Sequence, residues 1–352
     1  MGFMVKRLLI SLTKLTNSHD ASVKPRTDIE KFLKGPDTWV VNVPINVNSK
    51  FSKAVGVGWT LSAYLREAIA SANRQVVYIQ YPAYSAVVMD RALKILRKGT
   101  SAKIVLIVHD IESLRMSADH PEFLTAEIRR FNSVDGLIVH NQAMADWLSD
   151  HGVTVPMSQL QLFDYVNPQP VITDSASSNI CFAGNLRKAQ FLNDVPFKQS
   201  QVDVFGDGLT LTNSQLIDHG SKSPDELPKF LTDRFGLIWD GNSADTCSGE
   251  YGEYLKYNSP HKASLYLSSG LPVIVWSQSA LAPVVSSLGA GLVVGSLAEI
   301  EPVLSELSNT EYLSMKHAAL DTAKKLRSGQ MIQTAVSSIE QQFQLNSRSG
   351  SI

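Results

Sequence analysis

The chain has few cysteines, no long apolar run and no excess of charge of either sign. Its 352 residues include only two cysteines, Cys181 and Cys247, and neither has a histidine or a second cysteine at metal-ligand spacing. The sequence therefore argues against a disulfide framework and against a zinc site. A net charge of −1 argues against a general binder of nucleic acid or of membrane surfaces. The apolar runs also stay shorter than the roughly 20 residues of a membrane span.

The amino-terminal segment lacks the features of a secretion signal. Its apolar part, within residues 1–12, is short, and no small-residue cleavage site follows it. Residues 7–12 are instead predicted to form the first strand of a sheet. Because the two cysteines are also expected to be reduced thiols, the sequence predicts a cytoplasmic protein.

Short apolar strands alternate with longer amphipathic segments along the chain. In the first half, the predicted strands are 7–12, 39–43, 76–80, 104–108 and 136–139. The predicted helices between them are 61–71, 86–97, 121–131 and 142–149. This alternation predicts an α/β fold in which helices cover both faces of parallel sheets.

Residues 165–174 form a polar stretch with two prolines that interrupts the alternation, and a serine-rich segment follows it. Together, these two segments predict a linker between domains. Strands then resume at 180–184, 202–205, 236–239, 273–276 and 292–294. We therefore predict two Rossmann-like domains that face each other across a cleft. The first spans residues 1–166 and the second residues 175–328, and the last helical segment, 329–352, is predicted to join the first domain.

Small, polar or cationic loops follow three strands of the second half, and a fourth segment of this kind leads into the next predicted helix. They contain Gly184-Asn185-Leu186-Arg187-Lys188, Gly206-Asp207-Gly208, Asp240-Gly241-Asn242 and the segment 257–262. Ligands of doubly wound sheets bind beyond the carboxyl ends of the strands. Each loop taken alone is equally well explained as an ordinary turn, but their joint placement favours one binding site.

The segment 257–262 is predicted to lead into a helix. Its residues are Tyr257, Asn258, Ser259, Pro260, His261 and Lys262. The helix is predicted to end at Gly270, before a β-branched strand. N–H groups at a helix start, the positive end of the helix dipole and a lysine together predict an anion site. The alternative is an ordinary helix–strand connection with a surface His-Lys pair.

The succession of these motifs resembles the donor domain of GT-B glycosyltransferases. It consists of Phe-Ala-Gly-Asn-Leu-Arg-Lys at 182–188, Val-Phe-Gly-Asp-Gly at 204–208, Gly-Leu-Ile-Trp-Asp-Gly at 236–241, Tyr-Asn-Ser-Pro-His-Lys at 257–262 and Ser-Ser-Gly-Leu-Pro-Val-Ile-Val at 268–275. More narrowly, the chain is similar to the glucosyltransferase 3 family of serine-rich-repeat adhesin glycosylation and to related β-1,6-galactofuranosyltransferases. The resemblance implies the GT-B fold. It also implies transfer of glucose from UDP-glucose to N-acetylglucosamine on a serine-rich adhesin.

The resemblance also implies roles for particular residues. Expected UDP contacts are Thr16 and Asn17 of the first domain, together with Arg187 and the six residues 257–262 of the second. Arg187 and Lys262 would hold the diphosphate. Many GT-B enzymes bind the donor ribose through a glutamate where this chain has Leu265, so the ribose would be held by backbone or by Asn258. No Asp-x-Asp motif is present, and we expect a metal-independent enzyme without a cofactor.

The first domain is expected to bind the acceptor. His109 and Asp110 follow a predicted strand, where either side chain could accept the proton of the acceptor hydroxyl. The alternative is that Asp110 caps the following turn and that His109 packs below it. Trp59 and Arg115 are the predicted acceptor contacts, although Trp59 is also compatible with a core position at a helix start.

Other functions remain compatible with the sequence. The alternative donors are UDP-N-acetylglucosamine and UDP-galactofuranose, and an alternative enzyme is a UDP-sugar epimerase of GT-B fold. A bilobed binding protein is a further class, which the missing secretion signal disfavours. A homo-oligomer, with a tetramer as the form expected, is predicted from the resemblance and from the apolar groups of 319–323 and 331–343. These groups would cover either the first domain or a neighbouring subunit.

Overall fold

Parallel strands with buried side chains form the two sheets of the protein. The computed structural model describes residues 5–14, 23–45, 65, 75–83, 85–116, 121–174, 177–208 and 213–349. The predicted helix at 61–71 lies outside these residues apart from Leu65. Among the helices described, none combines the length and the apolar character that a bilayer span requires.

The first sheet has the strand order β2-β1-β3-β4-β5-β6, and all neighbouring strands are parallel. Its strands are β1 (Arg7–Lys14), β2 (Thr38–Ile45), β3 (Val76–Tyr81), β4 (Lys103–Val108), β5 (Gly136–Val139) and β6 (Met157–Gln159). Its helices are α1 (Lys24–Leu33), α2 (Ala86–Gly99), α3 (Glu112–Met116), α4 (Pro121–Phe131) and α5 (Gln142–Asp150). Every side chain of β3 is buried, as expected for a central strand that is covered on both faces.

The second sheet has the order β12-β11-β10-β7-β8-β9 and is also parallel. Its strands are β7 (Ile180–Ala183), β8 (Val202–Phe205), β9 (Leu216–Asp218), β10 (Phe235–Ile238), β11 (Val273–Trp276) and β12 (Gly291–Val294). Its helices are α6 (Gly249–Tyr254), α7 (His261–Ser268), α8 (Ala282–Leu288), α9 (Ile300–Glu306) and α10 (Asn309–Ser328). One apolar cluster includes Phe182 and Trp239, and a second, on the other face, includes Tyr266 and Leu326. The predicted α/β class is confirmed.

The described residues divide into two compact units. The first comprises those within Met1–Val139, Ala145–Leu160 and Ile332–Ile352, and the second those within His140–Met144 and Gln161–Met331. The predicted linker region therefore lies within the second unit. Its backbone is bonded there, because Tyr165 N–H donates to the Leu326 carbonyl at 3.1 Å and Ile172 N–H donates to the Ser269 carbonyl at 3.1 Å.

The last helix, α11 (Gln330–Ser349), packs in the first unit from Ile332 onward. The Arg7 guanidinium of β1 donates to both carboxylate oxygens of Glu340, at 2.7 and 2.8 Å. The Tyr78 hydroxyl of β3 donates to the same carboxylate at 2.8 Å. A Cβ at Gly136 would lie 3.0 Å from Cδ1 of Ile339, so the glycine of β5 permits a close helix–sheet approach.

A pair of buried carboxyl groups lies at the second sheet. Asp203 of β8 stands opposite Cys181 of β7, and Asp233 precedes β10. Burial, together with the hydrogen bond to Asp203, raises the pKa of Asp233 to about 8. Asp203 also accepts from Asn179 at 2.6 Å and is hydrogen-bonded to His219. The pair therefore shares one proton at neutral pH.

This shared proton predicts a pH-dependent stability. Asp233 binds its proton up to about pH 8 in the folded chain, whereas the unfolded carboxyl releases it near its ordinary value of 3.8. Because the folded state holds the extra proton, stability falls as pH rises from about 4 to 8, by at most about 1.4 kcal/mol per pH unit. Asp233→Asn, a neutral donor of the same shape, is expected to remove this slope in urea titrations. Asp194→Asn, at an exposed site, is the control, and an unchanged slope in Asp233→Asn would contradict the assignment.

Candidate functional site

The second sheet has a topological switch point between β7 and β10. From this pair, β8 and β9 continue in one direction and β11 and β12 in the other. The connections that follow β7 and β10 therefore diverge and leave a crevice at their carboxyl ends. Ligands of doubly wound sheets bind at this position. The loops that begin at Gly184 and at Trp239 lie there.

Lys262 reaches the switch point from the first turn of α7. Its ammonium group donates to the Trp239 carbonyl at 3.2 Å and to Oδ2 of Asp240 at 3.0 Å. It also lies 4.5 Å from the centre of the Phe182 ring. An ammonium group has three donors. Among the described residues these two oxygens are its hydrogen-bond acceptors, which leaves one N–H for a ligand at the crevice.

Helix α7 is held closely against the sheet by Tyr266. A Cβ at Gly236 of β10 would lie 2.4 Å from the Tyr266 ring, so the glycine is what lets this ring pack against the strand. The buried Tyr266 hydroxyl accepts a hydrogen bond from the Ala183 N–H of β7 at 2.7 Å. Burial raises the pKa of Tyr266, which keeps the hydroxyl neutral. This packing fixes the start of α7, and with it Lys262, beside the ends of β7 and β10.

The loops after β7 and β8 are in direct contact because glycines occupy the meeting points. A Cβ at Gly206 would lie 1.9 Å from the Gly184 carbonyl oxygen. A Cβ at Gly208, whose φ is +84°, would lie 2.3 Å from Cγ of Arg187. The aliphatic part of Arg187 therefore crosses Gly208, and Arg187 itself is exposed at the rim of the same edge. The structure thus places Arg187 and Lys262, the two predicted diphosphate ligands, at one edge of one sheet.

Ser259 anchors the loop that precedes α7. Its side chain is buried, and its hydroxyl donates to the Gln161 carbonyl at 2.8 Å and accepts from Asn141 at 3.0 Å. Its N–H donates to Nδ1 of His140 at 3.0 Å. Both polar groups are already used within the protein. Ser259 therefore anchors the loop, and its contact with UDP stays a prediction.

The other residues of the loop divide between packing and the helix start. The N–H groups of Tyr257 and Asn258 both donate to the Tyr254 carbonyl, at 3.0 and 3.1 Å. The His261 ring packs on Tyr165, with 5.0 Å between the ring centres. Pro260 is extended and directly precedes α7. The first turn of a helix offers N–H groups that no carbonyl of the same helix accepts, and Lys262 lies in that turn.

The residues predicted for proton transfer lie after β4 in the first unit. Nε2 of His109 is 2.8 Å from Oε1 of Gln80, and the Gln80 amide donates to the Ser11 hydroxyl at 2.5 Å. Asp110 accepts from the Arg115 guanidinium at 2.6 Å. Two residues that were predicted to have different roles thus form one ion pair. Thr16, Asn17 and Trp59 lie outside the described residues.

Glu127 positions the short helix α3 that carries Arg115. This buried carboxylate accepts from the N–H groups of Glu112 and Ser113 at 3.0 and 2.8 Å, and from the Tyr81 hydroxyl at 2.5 Å. Burial, followed by the nearby Glu127 charge, raises the pKa of Glu112. Sequence reasoning missed Glu127, as well as the contact of Asp240 with Lys262, because neither residue lies in sequence beside the groups that it positions.

Two family models match the chain, one over each half. They are the Glucosyltransferase 3-like, N-terminal domain over residues 8–162 and the Glucosyltransferase 3-like, C-terminal domain over residues 180–339. The β-1,6-galactofuranosyltransferase WbbI of Escherichia coli (strain K12) is 30% identical over 267 residues, which cover 73% of this chain and 76% of that protein. Glucosyltransferase 3 of Streptococcus gordonii is 27% identical over 248 residues, which cover 68% of this chain and 71% of that protein.

Solved structures share the fold at low sequence identity. Sucrose-phosphate synthase from Thermosynechococcus elongatus has a TM-score of 0.60 at 11% identity, with 97% of this chain and 100% of that chain covered. Trehalose-6-phosphate synthase from E. coli, bound with UDP-2-fluoro glucose, has a TM-score of 0.61 at 10% identity, with 96% and 99% covered. These similarities confirm the GT-B fold. Because the two family models together span both halves, the chain is a GT-B glycosyltransferase and belongs to the glucosyltransferase 3-like family.

Proposed function

We propose that the enzyme transfers glucose from UDP-glucose to N-acetylglucosamine on a serine-rich-repeat adhesin glycoprotein. The observation that carries the donor part is the position of Lys262 at the switch point of the second sheet, on the same edge as Arg187. The relative from Streptococcus gordonii named glucosyltransferase 3 supports glucose as the sugar. A structure of the same fold with a UDP-sugar analogue supports the nucleotide.

On this proposal, the two cations act on the leaving group. Negative charge accumulates on the diphosphate as the bond to the sugar breaks, and fixed cations stabilise it without reorganising. Lys262 supplies a compact charge, and Arg187 supplies a planar donor set suited to phosphate oxygens. Thr16, Asn17, Tyr257, Asn258, Ser259, Pro260 and His261 are proposed as the remaining contacts of UDP.

The acceptor side is proposed to lie in the first unit. His109 and Asp110 are the candidates for the group that takes the acceptor proton, and Trp59 and Arg115 are the candidates for acceptor contacts. The ion pair of Asp110 with Arg115 couples the two roles, because an acceptor that binds Arg115 would change the environment of the carboxylate.

Product analysis tests this function. UDP-glucose, UDP-N-acetylglucosamine and UDP-galactofuranose are each incubated with the enzyme, with and without a serine-rich peptide that carries N-acetylglucosamine. We expect a glucosylated peptide only from UDP-glucose. Galactofuranosylated product is the second candidate, which the 30% identity to the galactofuranosyltransferase supports. A change of the UDP-sugar without acceptor would contradict transfer and indicate an epimerase.

We also propose that transfer is metal-independent. The sequence has no Asp-x-Asp motif, and two cations are available to neutralise the diphosphate. Turnover is therefore expected to be unchanged, within about twofold, after treatment with EDTA and desalting. Activity that disappears with EDTA and returns with Mn²⁺ would show that a divalent ion, rather than the two side chains alone, stabilises the leaving group.

Assembly and location complete the proposal. The apolar groups that were predicted to cover either the first domain or a neighbouring subunit are buried within the chain, since Ala319 and Ala323 of α10 and Ile332 and Ile339 of α11 are all covered. A homotetramer is therefore proposed on the family resemblance, and light scattering at working concentration tests it. Buried, unpaired Cys181 and Cys247 are compatible with the proposed cytoplasmic location.

A further inference from the structure

The second unit contains a cavity of about 580 Å³ beside the loop that carries Lys262. Its walls come from residues 141–143 and 161–162, from the loop after β11 with the start of α8, and from Thr322 and Met331. Its volume lies in the range of about 300–1,000 Å³ that is typical of small-molecule sites. None of the residues predicted to bind UDP lines it.

Amide groups dominate the polar part of the lining. The cavity is lined by the four amide side chains of Asn141, Gln142, Gln161 and Gln278. The Asn141 amide already donates to the Ser259 hydroxyl and accepts the Met144 N–H, both at 3.0 Å, whereas the exposed Gln278 offers both donors and an acceptor. A sugar hydroxyl is likewise both donor and acceptor, so a polyhydroxyl ligand is the chemical match for this set.

The lining carries little net charge. Its charged residue is Lys256, whose ammonium group pairs with Glu253 at 2.6 Å. An anionic ligand would therefore find no uncompensated cation. Pro283, Val284 and Leu288 add an apolar wall on the α8 side, against which the C–H face of a sugar ring can pack. The balance of amide and apolar surface favours a neutral sugar over a phosphorylated one.

A buried hydroxyl in the lining has no partner within the described chain. Ser279 is 5% exposed, and its Oγ makes no hydrogen bond to any described residue. Thr322, in the same lining, donates to the Ala318 carbonyl at 2.8 Å and is satisfied. Buried hydroxyls are nearly always hydrogen-bonded. The Ser279 hydroxyl is thus a buried group of the cavity wall that lacks a partner among the described residues.

The cavity wall is bonded directly to the loop that carries Lys262. Gln161 has a φ of +66°, and its carbonyl accepts the Ser259 hydroxyl at 2.8 Å. Asn141 donates to the same hydroxyl at 3.0 Å. A left-handed backbone at a residue other than glycine is uncommon and is maintained by its surroundings. A ligand that contacts Asn141 and Gln161 therefore also acts on Ser259, three residues before Lys262.

We propose that this cavity binds a neutral sugar and that its occupancy changes the affinity of the adjacent loop for the nucleotide. The second part rests on the proposed UDP site, whereas the first does not. The sugar is either the transferred sugar of the donor or a separate saccharide, and both have the same chemistry.

A filling substitution tests the site. Ser287 lines the cavity from the exposed side of α8, and Ser286, its exposed neighbour, does not. Glucose, galactose and N-acetylglucosamine are the probes, with binding followed by saturation-transfer NMR. At least one is expected to bind wild type and Ser286→Trp, and to bind Ser287→Trp at least tenfold more weakly. Ser279→Ala, which removes the hydroxyl without filling space, is expected to weaken binding at least threefold.

Several results would overturn the proposal. They are the absence of binding by all three sugars, equal binding by Ser287→Trp, and tighter binding of glucose 6-phosphate than of glucose. Thermal unfolding of each variant checks that a loss of binding is not a loss of fold.

Competition distinguishes the two sources of the sugar. If the cavity holds the donor sugar, UDP-glucose displaces the probe and UDP does not. If it holds a separate saccharide, neither nucleotide displaces the probe, and saturating probe changes UDP affinity at least threefold. If neither nucleotide displaces the probe and the probe does not change UDP affinity, the coupling is refuted. A wild-type enzyme that binds the probe but not UDP would refute the proposed UDP site alone, so the two failures are distinguishable.

Discussion

Replacement of Lys262 by methionine is expected to weaken UDP binding by about 10- to 150-fold. Methionine keeps most of the side-chain volume over Phe182 but removes the charge. A hydrogen bond to a charged group contributes about 1.5–3 kcal/mol, which corresponds to this range. Because Lys262 is largely buried and held by Trp239 and Asp240, its charge is fixed at the crevice rather than averaged over solvent. Isothermal titration calorimetry with UDP measures the effect.

Asp240 provides an internal check on this prediction. In Lys262→Met its carboxylate remains at the switch point without its partner and repels the diphosphate. The double variant Lys262→Met with Asp240→Asn is therefore expected to bind UDP more tightly than Lys262→Met alone. Asp240→Asn alone is expected to change UDP affinity less, and this non-additivity is the signature of a direct interaction between the two side chains.

A matched control distinguishes the site from a general charge effect. Lys324 pairs with Asp321 at 2.8 Å, and both side chains are exposed on α10. Lys324→Met removes the same charge from an exposed Lys-Asp pair and is expected to leave UDP affinity unchanged. Equal affinities of wild type and Lys262→Met for UDP would show that the diphosphate binds elsewhere.

The sequence predicted the central strands of both sheets because these strands are apolar and bounded by turn residues. The observed β7, β8, β10 and β11 begin and end within a residue or so of the predicted segments. The strands β6 and β9 were missed. Each has three residues, and the side chains of β9 are partly exposed. A strand of this length and exposure carries no periodic signal.

The candidate site was predictable in part. A cation at a helix start beside strand-end glycines is a local pattern, and it led to Lys262. The roles of Ser259 and Asp240 depend on partners far away in sequence, since Ser259 is 119 residues from His140 and Lys262 is 22 residues from Asp240. Such contacts are made by tertiary packing, and no local pattern in the sequence predicts them.

The last helix shows the same limit. Its helical spacing of apolar residues predicted a covered face, and Ile332, Ala335, Val336 and Ile339 are buried. The pattern could not distinguish the first domain from a neighbouring subunit as the covering surface. The distinction is made by Glu340, which is 333 residues from Arg7 and 262 from Tyr78 in sequence and bonds to both.

Glu340→Ala is accordingly expected to destabilise the first unit by about 3–5 kcal/mol, the usual cost of breaking a buried ion pair from one side. Glu340 is 6% exposed, and its removal leaves the Arg7 guanidinium and the Tyr78 hydroxyl without their acceptor. The hydrogen bond to Glu340 raises the pKa of Arg7, so this cation remains charged in the folded chain. Urea denaturation, with hydrogen exchange of β1 and β3 amides, measures the change in the free energy of unfolding.

Two further variants separate the ion pair from simple packing. Gln341→Ala, at the exposed neighbouring position, is expected to change the free energy of unfolding by less than about 0.5 kcal/mol. The triple replacement of Glu340 by Leu, Arg7 by Met and Tyr78 by Phe removes every member of the network and leaves no buried charge. Because replacing a whole buried polar set with apolar groups is often nearly neutral, this variant is expected to recover most of the stability lost in Glu340→Ala. If the triple variant were as unstable as Glu340→Ala, the loss of stability would come from altered packing of the helix and not from the buried groups that lose their partner Glu340.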